Sequence, residues 1–303
     1  MHVYLPIAGQ SVNALFIVIL GFLVGVLSGM FGIGGGFLTT PLLIFYGIPP
    51  TVAVASATTQ ITGASVSGAM VHMRRGGVDL KMAGVMIVGG LLGSFVGAAL
   101  FRMLQASGQV DVVISFLYVV ILVGIGGLML KDSLVALGIM AGKTPESHAP
   151  RHNRWVASLP LRWRFYSSGL YISPVAPLVI GFGAGVMTVL LGIGGGFILV
   201  PAMIYLLGMP ARVVIGTSLV MILAVSAGTT MVHSLTTRAV DIVLAALLLV
   251  GGVIGAQYGA LLTTRMKPDY LRLALSAIIL LVALRMFLGL FWRPDEIFSI
   301  EYL

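Results

Sequence analysis

The chain has 303 residues, 59% hydrophobic and 9% charged, with a formal net charge of +8 and a mean hydropathy of +1.11. Soluble domains carry about a quarter charged residues, so a water-soluble globule is excluded; the absence of cysteine excludes disulfides, thiolate metal sites and cysteine redox chemistry. The basic residues sit mostly in loops, where they mark the cytoplasmic side and meet anionic lipid, so their charge needs no nucleic acid.

Residues 1–10 show no basic n-region, and no A-x-A site follows the first apolar run at 12–31. That run is therefore read as a retained first span rather than a signal peptide. Next comes "FGIGGGFLTTP" at 31–41. The apolar piece behind it, 37–47, is eleven residues long, roughly 16 Å as helix and too short to span. Lying between the glycine cluster and Ile48-Pro49-Pro50, it is predicted to be a half-helix. The polar but uncharged stretch "SATTQITGASVSG" occupies 56–68, and His72 and Asp79 follow. Runs near the ~20 residues that cross a bilayer then occupy 79–101 and 112–130. Three more occupy 174–191, 240–262 and 271–291. The ~10-residue alternating segments of a β-barrel are absent. The pattern predicts an all-α polytopic membrane protein.

The second "LGIGGGFILVP", at 191–201, extends into a repeat. Gly32, Gly34, Gly35, Gly36 and Pro41 match Gly192, Gly194, Gly195, Gly196 and Pro201. After single-residue gaps, Gly47, Pro49 and His72 match Gly208, Pro210 and His233, and Asp79 matches Asp241. The predicted organisation is a first transmembrane repeat at 1–131, a basic cytoplasmic linker at 132–170 and a second repeat at 171–303. Within the linker, Trp155, Trp163, Phe165 and Tyr166 are expected as an amphipathic patch at the membrane surface. The basic loop 265–272 belongs inside and the acidic tail, with Asp295, Glu296 and Glu301, outside; that requires two homologous repeats that are inverted. An inverted repeat needs an odd number of crossings, so 37–73 and 197–234 must each cross twice or enter and return. Short glycine- and proline-interrupted segments at matching places in two halves point to a transporter's binding site.

Glycine admits positive φ and lets a ligand approach the peptide groups. If a half-helix starts at each GIGGG, its unpaired N–H groups and the helix dipole make an anion site. Tight helix contact is the competing use of glycine, and Gly89, Gly90, Gly93 and Gly97 fit it. Thr58, Thr59 and Gln60 as a group admit both an oxyanion-binding reading and a structural one. Any single hydroxyl is more simply explained by a bond to its own helix. His72 and His233 are candidates for coupling or gating, against an interfacial hydrogen-bonding role, which their position at span ends favours. All nine acidic residues fall at segment ends or in loops, which speaks against a cation path and suits an anionic substrate. Arg285, inside a run, is read as snorkelling to the outer interface. No HExxH, G-x-S-x-G or P-loop is present, so neither an enzyme nor an ATP-driven pump is expected, and no cofactor or metal.

The doubled motif, with its downstream GIPPTVAVASA and GMPARVVIGTSL, resembles the TauE/SafE sulfite and organosulfonate exporter family over nearly the whole chain. The resemblance implies a multi-pass inner-membrane transporter of small sulfur-containing anions such as sulfite, sulfoacetate or other organosulfonates. The expected first-half contacts are Gly34, Gly35, Gly36, Thr39, Thr58, Thr59 and Gln60. In the second half they are Gly194, Gly195, Gly196, Thr217 and Ser218. Because Leu219-Val220-Met221 replaces Thr58-Thr59-Gln60, the first half is expected to be richer in polar contacts. Expected partners are the anion and membrane lipid, with no nucleic acid; a homodimer stays open. The competing readings are an anion channel of the same fold and a non-transporting membrane assembly protein.

Overall fold

The computed structural model describes residues 2–31, 35–74, 76–139, 162–262 and 268–291. A two-stranded hairpin opens the chain: β1 (His2–Leu5) pairs antiparallel with β2 (Gln10–Asn13). Five helices follow: α1 (Ala14–Phe31), α2 (Gly36–Phe45), α3 (Pro50–Arg74), α4 (Leu80–Ala106) and α5 (Val110–Ala136). A second hairpin, β3 (Trp163–Phe165) and β4 (Leu170–Ile172), precedes five more. These are α6 (Val175–Leu191), α7 (Gly196–Tyr205), α8 (Ala211–Thr236), α9 (Ile242–Leu262) and α10 (Pro268–Phe291). The order of hairpin, helix, ten-residue helix and three longer helices thus occurs twice.

Among the described residues, five helices are long and apolar enough to cross a bilayer, those in α4, α5, α8, α9 and α10. The all-α polytopic expectation is met. The short half-helix at 37–47 is α2, and the remainder of 37–73 is α3, a 25-residue helix. Its serines, threonines and glutamine make it too polar to face lipid all round, and Ala53, Val54, Ala55, Ser56, Ala57 and Thr58 are wholly buried.

The two hairpins were not foreseen. Both are short alternating segments whose inner residues bury against the bundle: Leu5 and Val12 in the first, Phe165, Leu170 and Ile172 in the second. That corrects the expected surface patch in the linker. Trp163 and Tyr166 are exposed, but Phe165 is fully buried in β3, while Trp155 lies outside the described residues.

Helix packing is crossed between the halves. Methyl groups on Gly21, Gly25 and Gly29 of α1 would run into backbone at Leu248, Gly252 and Ala256 of α9. Likewise Gly89, Gly93 and Gly97 of α4 lie against Leu178, Phe182 and Val186 of α6. Both residue series ascend together, so each pair is parallel. Small residues four apart allow this approach, and close van der Waals contact replaces the hydrophobic driving force that lipid removes. In contrast α3 and α8, third in their halves, run antiparallel. Ile61 and Ile222 both touch Gly194, and seven residues further along α3 Gly68 meets Leu219, three residues back along α8.

Candidate functional site

Each short helix begins at a left-handed glycine. Gly35 caps α2 with φ 68° and Gly195 caps α7 with φ 74°, neither with a side-chain capping bond. In the second half the break is fully described: Gly192 and Gly194 also have positive φ, 67° and 72°. Gly34 lies outside the described residues. These angles cost an L-residue roughly 1–3 kcal/mol, which explains the glycines. Beyond the caps, the first N–H groups of α2 and α7 have no carbonyl one turn back to bond.

The two breaks approach each other, but the ground between them is filled. Phe37 and Phe197, the second residues of α2 and α7, stack with ring centroids 4.6 Å apart and planes 5° apart. Each ring is 1% exposed. A methyl on Gly36 would lie 2.6 Å from the Gly192 carbonyl oxygen and would also strike Ile61. Gly196 is buried at the start of α7. Two aromatic rings and an isoleucine therefore occupy the ground between the breaks.

Space opens instead beside the first break. Val24, Gly25 and Ser28 of α1, Gly35, Gln60, Ile61 and Ala64 of α3, and Gly252 of α9 line a cavity of about 10 Å³, room for the centre of one water molecule. Gln60 is 4% exposed and its Oε1 has no hydrogen-bond partner. A buried carboxamide oxygen left unpaired is costly, which makes this atom, beside the cavity, a candidate contact for a ligand or water. No lining residue is charged.

The remaining sequence candidates do other things. Thr39 Oγ donates to the Gly35 carbonyl at 3.4 Å, Thr58 to Ala55 at 2.8 Å and Val54 at 3.0 Å, and Thr59 to Ala55 at 3.1 Å. Ser218 donates to Ile215 at 3.0 Å. These hydroxyls satisfy themselves on their own helices, as Ser and Thr do in membranes. Thr217 is a tie between halves: its Oγ accepts the Asp79 N–H at 3.0 Å. His233, in the last turn of α8, is 1% exposed, wedged edge-on to Phe101, with Nε2 3.1 Å from the Val189 carbonyl oxygen. His72 is half-buried in the last turn of α3. The Arg285 guanidinium lies over the Phe45 ring at 5.4 Å. Among the described residues no cluster of His, Asp or Glu could hold a metal.

Sequence reasoning missed Ser28 and Gly252. A signal for Ser28 existed, since its repeat counterpart is Thr188, a second hydroxyl seven residues before the capping glycine.

The family model described as sulfite exporter TauE/SafE matches residues 17–286. The chain belongs to the TauE/SafE family. This TauE/SafE protein is 28% identical over 274 residues to the probable membrane transporter protein YjnA of Bacillus subtilis (strain 168), covering 89% of this chain and 98% of that one. It is 28% identical over 281 residues to the probable membrane transporter protein YdhB of the same organism, covering 91% and 100%. A shorter match, 30% over 107 residues, covers 35% of the chain and 24% of the sulfite exporter TauE/SafE family protein 1 of Arabidopsis thaliana. No solved structure matches the TauE/SafE chain. It is a multi-pass membrane protein of a transporter family.

Proposed function

We propose that this protein is a secondary transporter carrying a small sulfur-containing anion, sulfite or an organosulfonate, across the inner membrane by alternating access. The observation that carries the reading is the cavity where the α2 N-terminus, capped by left-handed Gly35, meets the unpaired carboxamide of Gln60. A helix start offers N–H donors and the positive end of the dipole. A carboxamide turned by half a rotation presents its NH2 group in place of its oxygen. Such a site solvates sulfonate or sulfite oxygens without a fixed cation, so the anion is held weakly enough to leave on the far side.

A cavity sized for one water must widen to admit a four-atom anion, and movement of α2 against α3 would widen it. The antiparallel α3 and α8 and the repeated element order support a pair of inverted repeats, the arrangement from which alternating access follows. With the basic linker in the cytoplasm, α1 runs from outside to inside.

The test is a ligand panel on purified protein followed by counterflow in proteoliposomes. Sulfite or sulfoacetate should raise the unfolding temperature where chloride does not, by about 2.7 kcal/mol of stabilisation at about 100 Kd. Trapped anion should drive uphill uptake of the labelled one. Gly35→Val, which puts a β-branched residue at φ 68° with its Cβ 3.1 Å from Ser28 Cβ, should abolish both effects in a protein that still folds. Stabilisation by no sulfur anion, together with absence of counterflow, would refute the proposal.

A further inference from the structure

Asp79 and Asp241 do more than start helices. Asp79 caps α4, its Oδ1 accepting the Met82 N–H at 3.0 Å; Asp241 Oδ1 accepts from the N–H groups of Val243 and Leu244 at 3.1 Å each, at the start of α9. That work needs one oxygen, and a serine or asparagine would do it as well. In both residues the second oxygen reaches into the other half. Asp79 Oδ2 accepts from Ser168, from its N–H at 3.1 Å and its hydroxyl at 2.8 Å, in the turn joining β3 to β4. Asp241 Oδ2 accepts from the Ile7 N–H at 3.0 Å, in the turn joining β1 to β2. The backbones reciprocate. The Asp79 N–H donates to Thr217 on α8, and the Asp241 N–H donates to Ser56 on α3 at 3.2 Å.

These carboxylates are 2% and 0% exposed, and among the described residues neither is paired with a cation. Each carboxylate therefore makes bonds across to the other half that capping alone does not require. The two sites also lie far apart. Asp241 meets α3 at Ser56, whereas Asp79 follows the other end of that helix. From Ser56 to the α3 terminus at Arg74 is 18 residues, about 27 Å of helix, close to the ~30 Å of a bilayer's hydrocarbon core. One hairpin therefore lies at each end of the bundle, and each is fastened to the opposite half.

We infer that Asp79 and Asp241 are paired gate latches: each pins the hairpin of one half onto the other half, at opposite membrane faces, and the transport cycle releases one while the other stays made. The inference rests on the alternating-access reading above. Both sets of bonds are made in this structure, whose cavity beside Gly35 admits only one water. Asp79 and Asp241 act as positioning residues, touching no substrate.

The chain's lack of cysteine makes the test clean. A single cysteine replaces Ala64, which lines the cavity, and a membrane-impermeant maleimide is applied to one face at a time of oriented vesicles, with no substrate present. Asp79→Asn keeps an oxygen for the Met82 amide but turns an NH2 towards Ser168. Labelling from the β3–β4 face should rise about tenfold, as expected for losing hydrogen bonds to a charged group, with the other face unchanged. Asp241→Asn should give the mirror result. Ser168→Ala leaves the α4 cap untouched and should give a smaller rise at the β3–β4 face; it decides the question if Asp79→Asn does not fold. Equal change at both faces, or no change in folded protein, would overturn the latches. Because accessibility is read without any anion, that outcome is distinct from failure of the sulfur-anion reading.

Discussion

The two glycine breaks share a backbone and differ in what surrounds it. Gly35 and Gly195 have nearly the same φ, 68° and 74°, and the third helix of each half sends a side chain to the same place. In the first half the Gln60 amide nitrogen ends 2.8 Å from where a methyl on Gly252 would be; in the second the Met221 terminal methyl ends 2.9 Å from that point on Gly90. One helical turn on, Ala64 borders the cavity, whereas its counterpart Val225 presses against Gly90, its Cγ2 2.5 Å from the same added methyl. Ser28 lines the cavity, while Thr188 spends its hydroxyl on the Ala184 carbonyl at 2.7 Å. Three exchanges, Gln for Met, Ala for Val and Ser for Thr, thus accompany a small cavity in the first half and filled space at the matching place in the second. Both halves carry the break, and the third helix decides how much space lies beside it.

The strongest way to break this comparison is at the shared frame. Gly93→Ala would drive a methyl into the Phe182 carbonyl and Gly255→Ala one into the Phe22 carbonyl. Each should cost about 3 kcal/mol, the upper end of ordinary overpacking, seen as matched losses in thermal unfolding in detergent. Unequal losses would mean that the α4–α6 and α1–α9 seams are not equivalent. Next, the halves can be exchanged at the site. Met221→Gln buries an amide among apolar neighbours and should destabilise by about 2 kcal/mol with anion binding intact. Gln60→Met should leave stability nearly unchanged and weaken anion binding at least tenfold, about 1.4 kcal/mol. Binding that survives Gln60→Met would move the site elsewhere. The smallest effect belongs to the centre. Phe37→Leu and Phe197→Leu, measured singly and together, should show a coupling of about 1 kcal/mol, and additive losses would show that the stack contributes only buried area.

Much of this architecture was legible in the chain. Local rules suffice to read apolar runs of bilayer length, a glycine cluster that no continuous helix tolerates, and a ten-residue helix too short to span. The candidate site was legible only in part. Gln60 was singled out together with Thr58 and Thr59, but α-helical geometry turns the two threonine hydroxyls back onto the carbonyls of Val54 and Ala55. A carboxamide is too long to do the same and reaches outward. Thr217 was expected as a contact from its place in the second-half counterpart of the polar 56–68 stretch, yet its partner is an amide 138 residues away.

By itself, the sequence determined the membrane as solvent, the twofold repetition and the places where the helices must stop, because each follows from composition or from the conformations a residue admits. Only the tertiary structure decided that α1 pairs with α9 and α4 with α6, that Phe37 and Phe197 fill the centre, and that Asp79 and Asp241 each hold the opposite half. Those outcomes depend on which surfaces meet across about ninety residues or more, and hydrogen bonds and close contacts form only where folding has already brought both partners together.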